Sequence, residues 1–229
     1  LAGCDNCDEP AGPAASLSGD PVGTWAASTD PLSSDVVLGE ATTTGDEVLL
    51  EDGTSFDAGV EVGTYVVAGD GVFAVPESDP TEDGFAELLA VTPDGAAGTG
   101  AHPDPSSLRT SPDGRYLGFL DRGAEGTEPA VATVVDLETG EEVVRTDEGM
   151  GGSGEDLTDL YEETGPDVLG ITDEVAYVKT TGPVLSFALP EGARTEEADE
   201  VEEVYDTDWF RALEEPGATQ VARRADEEP

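Results

Sequence analysis

Ser111-Pro112-Asp113-Gly114-Arg115-Tyr116-Leu117-Gly118-Phe119, followed further on by Val134-Val135-Asp136-Leu137-Glu138-Thr139-Gly140-Glu141-Glu142-Val143-Val144, is the stretch that decides the fold. Pro112 presets φ for the first corner of a turn, Asp113 can bond its own backbone two residues on, and Gly114 supplies the positive φ that closes it. Tyr116 to Leu120 then reads as a strand, and Val131 to Leu137 and Glu142 to Arg145 read as two more. Short apolar runs bounded by turn residues continue on either side of this segment. Val36-Leu38, Val48-Leu50, Tyr65-Val67, Val72-Val75 and Glu87-Val91 precede it, and Val168-Ile171, Val175-Lys179 and Val184-Leu189 follow. Asp52-Gly53 and Asp70-Gly71 fall between such runs, where hairpins need positive φ. Many short strands at close spacing predict an all-β chain.

A ragged repeat organises the strands. Asp46, Asp70, Asp113 and Asp173 each open an apolar strand, and they lie 24, 43 and 60 residues apart. The Ser-Pro-Asp-Gly-Arg turn of residues 111–115, together with the Asp-Leu-Glu-Thr-Gly turn of residues 136–140, resembles one blade of a β-propeller of the TolB-like or WD-repeat-like kind. Thr92-Pro93-Asp94-Gly95 is similar to the first turn, and Leu189-Pro190-Glu191-Gly192 to the second. The resemblance implies about four blade-like antiparallel sheets, a small or incomplete propeller at the low end of the known range.

Composition narrows the function classes. The 229 residues carry 53 acidic and 9 basic side chains, a net charge of −44. Nucleic acid is excluded as a direct partner, since no basic stripe is present to release its counterions. Such an excess of carboxylates suits high ionic strength, where charge is screened within a few Å. The near-absence of Ile (one residue, Ile171) and Lys (one residue, Lys179) is equally consistent with a GC-rich genome. An acidic surface also makes weak Ca²⁺ binding plausible, although no calcium-loop motif occurs.

The two cysteines, Cys4 and Cys7, lie in Leu1-Ala2-Gly3-Cys4-Asp5-Asn6-Cys7. Leu-Ala-Gly-Cys resembles a lipobox, which implies lipid attachment at Cys4 and an extracellular, membrane-anchored location; a Cys4–Cys7 disulfide is the alternative. One pair of cysteines is too few for a Cys₄ zinc site. No run approaches the length of a membrane span, so the expected contact with the membrane is through the anchor alone. Residues 1–22 read as a flexible tether, 23–195 as the β domain and 196–229 as an acidic segment. In the last part Val201, Val204, Tyr205, Trp209 and Leu213 follow the spacing of a short C-terminal helix, with a final strand as the rival.

Candidate catalytic groups are few. The single histidine, His102, sits in a proline-rich loop; a triad with Ser106 can be written, but no nucleophile elbow accompanies it. With 53 acids, carboxylate pairs arise by chance. Gly149-Met150-Gly151-Gly152-Ser153-Gly154 lacks the lysine and helix of a phosphate loop and reads as a mobile loop. Arg109, Arg115, Arg122 and Arg145 are expected to pair with nearby acids across strands. No catalytic residue is assigned. The expected role is non-enzymatic binding or scaffolding of a protein or glycan at the cell surface; the alternative is a carbohydrate-active or Ca²⁺-dependent hydrolase.

Overall fold

A computed structural model describes residues 20–25, 42–50, 53–77, 84–126, 129–151, 165–182 and 184–195. The described chain is all-β and forms four antiparallel sheets, each built from strands consecutive in sequence. The first contains β1 (Thr42–Thr44), β2 (Glu47–Leu49) and β3 (Ser55–Asp57); the second β4 (Val62–Ala68), β5 (Gly71–Pro76), β6 (Leu89–Thr92) and β7 (Gly95–Gly98). The third contains β8 (Arg109–Thr110), β9 (Tyr116–Asp121), β10 (Val131–Asp136) and β11 (Glu141–Thr146); the fourth β12 (Asp167–Ile171), β13 (Val175–Lys179), β14 (Val184–Ala188) and β15 (Ala193–Arg194). Among the described residues one 3-10 turn, Pro105–Ser107, precedes β8. Val36-Leu38 and the expected C-terminal helix lie outside the described residues.

The four aspartates of the ragged repeat prove to be structurally equivalent. Asp46, Asp70, Asp113 and Asp173 all lie in the turn that leads into the second strand of their sheets. The spacing is uneven because the connections between sheets differ in length. In the third sheet the turn forms as the residues dictate: Gly114 has φ 72° and donates to Ser111 O at 2.9 Å, while Asp113 Oδ1 accepts from Arg115 N at 2.9 Å. In the fourth, Thr172 stands where Ser111 does, its hydroxyl accepting from Val175 N at 2.9 Å as Ser111 Oγ accepts from Tyr116 N at 2.9 Å.

Two turn assignments are corrected. The positive φ of the β4–β5 hairpin belongs to Gly69 (59°) rather than to the Asp70-Gly71 pair; Ala68 pairs with Gly71, so Gly69 is the first corner of a primed turn. Thr92-Pro93-Asp94-Gly95 joins β6 to β7, the third and fourth strands of its sheet, whereas Ser111–Gly114 joins a first to a second. Their likeness is one of turn chemistry and does not mark a shared place in the fold. The hairpins at Leu137–Gly140 and Leu189–Gly192 do correspond. Each joins the third strand to the fourth and is closed by its glycine donating four residues back, Gly140 N to Asp136 O at 2.7 Å and Gly192 N to Ala188 O at 2.8 Å.

Neighbouring sheets share their cores. Val48 and Phe56 of the first pack with Val62, Val67, Val72 and Val91 of the second. The other face of the second, through Val66, Phe73 and Val75, meets Leu117, Phe119 and Val135 of the third. The opposite face of the third, through Tyr116, Leu120 and Val134, meets Val168, Ile171, Val178 and Phe187 of the fourth. Strands buried on both faces read as continuous apolar runs rather than alternating ones. Met150 also enters this last core, and Gly149 O accepts from Thr181 N at 2.9 Å, so the first two residues of the supposed mobile loop are pinned.

Glycine is required where backbones crowd. At Gly192 (φ 63°) a Cβ would fall on the Val143 carbonyl oxygen, whereas at Gly45 (φ 68°) it would meet nothing within 4 Å. Gly45→Ala is therefore expected to cost roughly 1 kcal/mol from backbone strain alone, and Gly192→Ala roughly 3 kcal/mol because crowding is added. Urea unfolding of the two variants checks the order, and equal losses would contradict it.

Candidate functional site

The two ends of the third and fourth sheets differ in chemistry. At one end lies the Ser-Pro-Asp-Gly-Arg corner, whose charges are consumed by the fold. Arg115 Nε donates to Asp136 Oδ1 at 3.1 Å and Nη2 to Oδ2 at 2.7 Å, and Nη1 lies 3.0 Å from Glu138 Oε2. The Asp136 side chain is 2% exposed and also accepts from Glu138 N at 3.0 Å, so it braces the following hairpin. The hydrogen bond to Asp136 holds the Arg115 guanidinium above its ordinary pKa. Arg115 covers the ring of Tyr116 at 5.0 Å, and burial pushes the Tyr116 hydroxyl up to about 12.

The opposite end gathers charged groups of both signs. It is formed where the chain enters β8 and β12 and where it leaves β9 and β13. Asp104 caps the 3-10 turn, its Oδ1 accepting from Ser106 N at 3.0 Å and from Ser106 Oγ at 2.7 Å. Its Oδ2 lies 3.8 Å from Arg122 Nη2. Asp121, at the end of β9, accepts from His102 N at 2.8 Å, which draws the proline-rich loop against the strand. Arg109, at the start of β8, donates through Nη1 to Ser106 O at 2.7 Å and to Leu108 O at 2.9 Å. Its Nη2 reaches Asp167 Oδ2, at the start of β12, at 3.2 Å, and so ties the third sheet to the fourth. Lys179 pairs in register with Asp167 across β12 and β13.

Asp167 is the group most perturbed at this end. Burial raises its pKa, opposed by Arg109, the Val168 amide and Lys179 and reinforced by Asp104. Its Oδ1 is buried with no hydrogen-bond partner. Among the described residues Lys179, the chain's one lysine, makes no ion pair. Such an arrangement can dock a partner bearing both charge and hydrogen-bonding groups.

The four arginines singled out in the sequence all meet carboxylates: Arg109 with Asp167, Arg115 with Asp136 and Glu138, Arg122 with Asp104, and Arg145 with Glu142 at 3.6 Å. Ser106 and His102 both belong to the charged end, where Ser106 is bound to Asp104. Cys4 and Cys7 lie outside the described residues, as does Gly152-Ser153-Gly154. Among the described residues no group of three or more His, Cys, Asp or Glu is placed to hold a metal ion, and no helix is long and apolar enough to cross a membrane. Sequence reasoning missed Asp167, whose only signal is its position at the end of a strand, and noted Lys179 for its scarcity without placing it in a site. Compared with known families and with curated proteins, the chain matches no family model and no curated sequence.

The raised pKa of Asp167 has a defined sign. A carboxyl that holds its proton more tightly when folded favours the folded state most where it is protonated; that contribution is lost as pH rises through the raised value. Wild-type stability relative to Asp167→Asn should therefore fall as pH rises from about 4 upwards. Thermal unfolding across that range measures the difference, and one that grew with pH would contradict the assignment.

Proposed function

We propose that this chain is an extracytoplasmic binding or scaffolding protein whose four sheets are blades of a small propeller and whose charged end, around Asp104, Arg109, Arg122, Asp167 and Lys179, receives a protein or glycan partner. Support for the blades comes from the repeated meander, the equivalent Asp turns, and the apolar character of both faces of the second, third and fourth sheets. In the fourth, Leu169, Tyr177 and Val184 form a second buried cluster apart from the one shared with the third. The observation that carries the binding reading is the concentration of three of the chain's nine cations, Arg109, Arg122 and Lys179, at one end of an otherwise acidic body. Loops at the ends of a rigid β scaffold are where binding residues commonly sit. Attachment to the surface is proposed through a lipid on Cys4, with the Cys4–Cys7 disulfide as the other form of this segment.

Both halves of the proposal can be tested in one comparison. The chain is produced with its Cys4 in native membranes and again as Cys4→Ser; acyl mass on the first, and its loss together with release into the soluble fraction for the second, are expected. In the Cys4→Ser background, sedimentation with isolated cell envelopes should drop several-fold when Lys179→Ala is added. Equal solubility of the two forms would overturn the anchor, and envelope binding indifferent to Lys179 would overturn the docking end.

A further inference from the structure

Residues 20–25 belong to none of the four sheets, yet they are held in a specific slot between the second and the third. Glu142 Oε1 accepts three hydrogen bonds from this segment: Val22 N at 2.9 Å, Gly23 N at 3.1 Å and Trp25 Nε1 at 3.1 Å. Thr24 N donates to Thr99 O, just beyond β7, at 2.7 Å. The Trp25 indole lies tilted against Phe73 of the second sheet at 6.3 Å and Phe119 of the third at 5.8 Å, between centroids. The Glu142 side chain is 3% exposed, and its Oε2 has no hydrogen-bond partner, with Arg145 Nη1 3.6 Å away. The tether boundary expected at residue 22 thus falls inside a docked segment.

The contacts select a pattern. A carboxylate oxygen receiving two successive amides and an indole reads a short bent peptide with tryptophan at a fixed distance. Gly23 is part of that reading: a Cβ there would come within 2.6 Å of the Trp25 ring, so the indole can fold back only over glycine. The slot supplies a buried anion, a backbone acceptor and two aromatic faces, the elements of a peptide site in which one aromatic anchor fills a pocket. Every strand ladder of the second and third sheets is complete without the segment. Its release is therefore a local opening that leaves the sheets paired.

We propose that the slot between Phe73, Phe119 and Glu142 is a peptide-binding site for Gly-x-Trp segments, filled in cis by Val22–Trp25. Another chain bearing the same pattern competes for it only when the strap is out.

The test uses the full chain as Trp25→Gly, which empties the aromatic pocket, and a fluorescently labelled peptide Asp-Pro-Val-Gly-Thr-Trp as the probe. Saturable binding followed by anisotropy is expected, weakened at least tenfold when the peptide carries alanine at the position of Gly23, and abolished when Glu142→Ala is added. A folded Trp25→Gly chain that ignores the peptide, or that binds the glycine and alanine peptides equally, overturns the site. Amide exchange on the wild type keeps the proposal open to refutation should that variant not fold. The Val22 and Gly23 amides should exchange at least a hundredfold faster than those of β10, and exchange at the β10 rate would show that the strap never leaves.

Discussion

An apolar sheet face must be covered, and in this chain successive sheets cover much of their apolar surface with one another's faces. Each depends on its neighbour's face. The dependence is tightest between the third sheet and the fourth, where Gly118 leaves β9 without a side chain. A Cβ at that position would lie 2.5 Å from Ile171 Cδ1 and 3.2 Å from Val168 Cγ1. The chain's one isoleucine enters the space that this glycine vacates, between Tyr116 and Leu120 on the same face. The pairing of sheets, more than any single hairpin, positions everything else: it brings Asp167 to Arg109 and sets Phe73 opposite Phe119.

Charge is arranged around these interfaces in two ways. Where an anion is buried, it is braced: Asp136 by the Arg115 fork and Glu142 by three N–H donors. A buried carboxylate deprived of its partners is costly, so these contacts hold corners in place as much as they add attraction. At the charged end the balance differs, with Asp167 only partly compensated and Lys179 outside the ion pairs of the described residues. A body carrying −44 overall repels other anions at long range, so a half-buried cationic group at one end has an effect out of proportion to its number.

Much of the fold was readable in the residues, for reasons that also explain the failures. Strands with buried faces, such as Tyr116–Asp121 and Val131–Asp136, announce themselves as apolar runs, and Pro112-Asp113-Gly114 carries its turn in its own chemistry. Strands such as the wholly exposed Gly95–Gly98 and the half-buried Ala193–Arg194 carry no such signal, since ladder bonds rather than burial define them. The candidate site was readable only in part. Arg109 and Arg122 stood out through scarcity, but Asp167 is one acid among 53 until the topology sets it beside Arg109. Glu142 shows the limit most clearly: its donors lie 117 to 120 residues away, and no local pattern sets it apart from Glu141 beside it.

The account's central claim, that successive sheets interlock through side chains fitted into each other's gaps, is tested most directly by a double-mutant cycle between Gly118→Ala and Ile171→Val. The first substitution adds a methyl where Ile171 Cδ1 sits, and the second removes that atom. Urea unfolding of the four proteins should show the pair to be more stable than the sum of the single losses by about 1 kcal/mol or more, since each change makes room for the other. Losses that add to within about 0.5 kcal/mol would mean that the two positions do not meet, and would contradict the packing of the third sheet on the fourth.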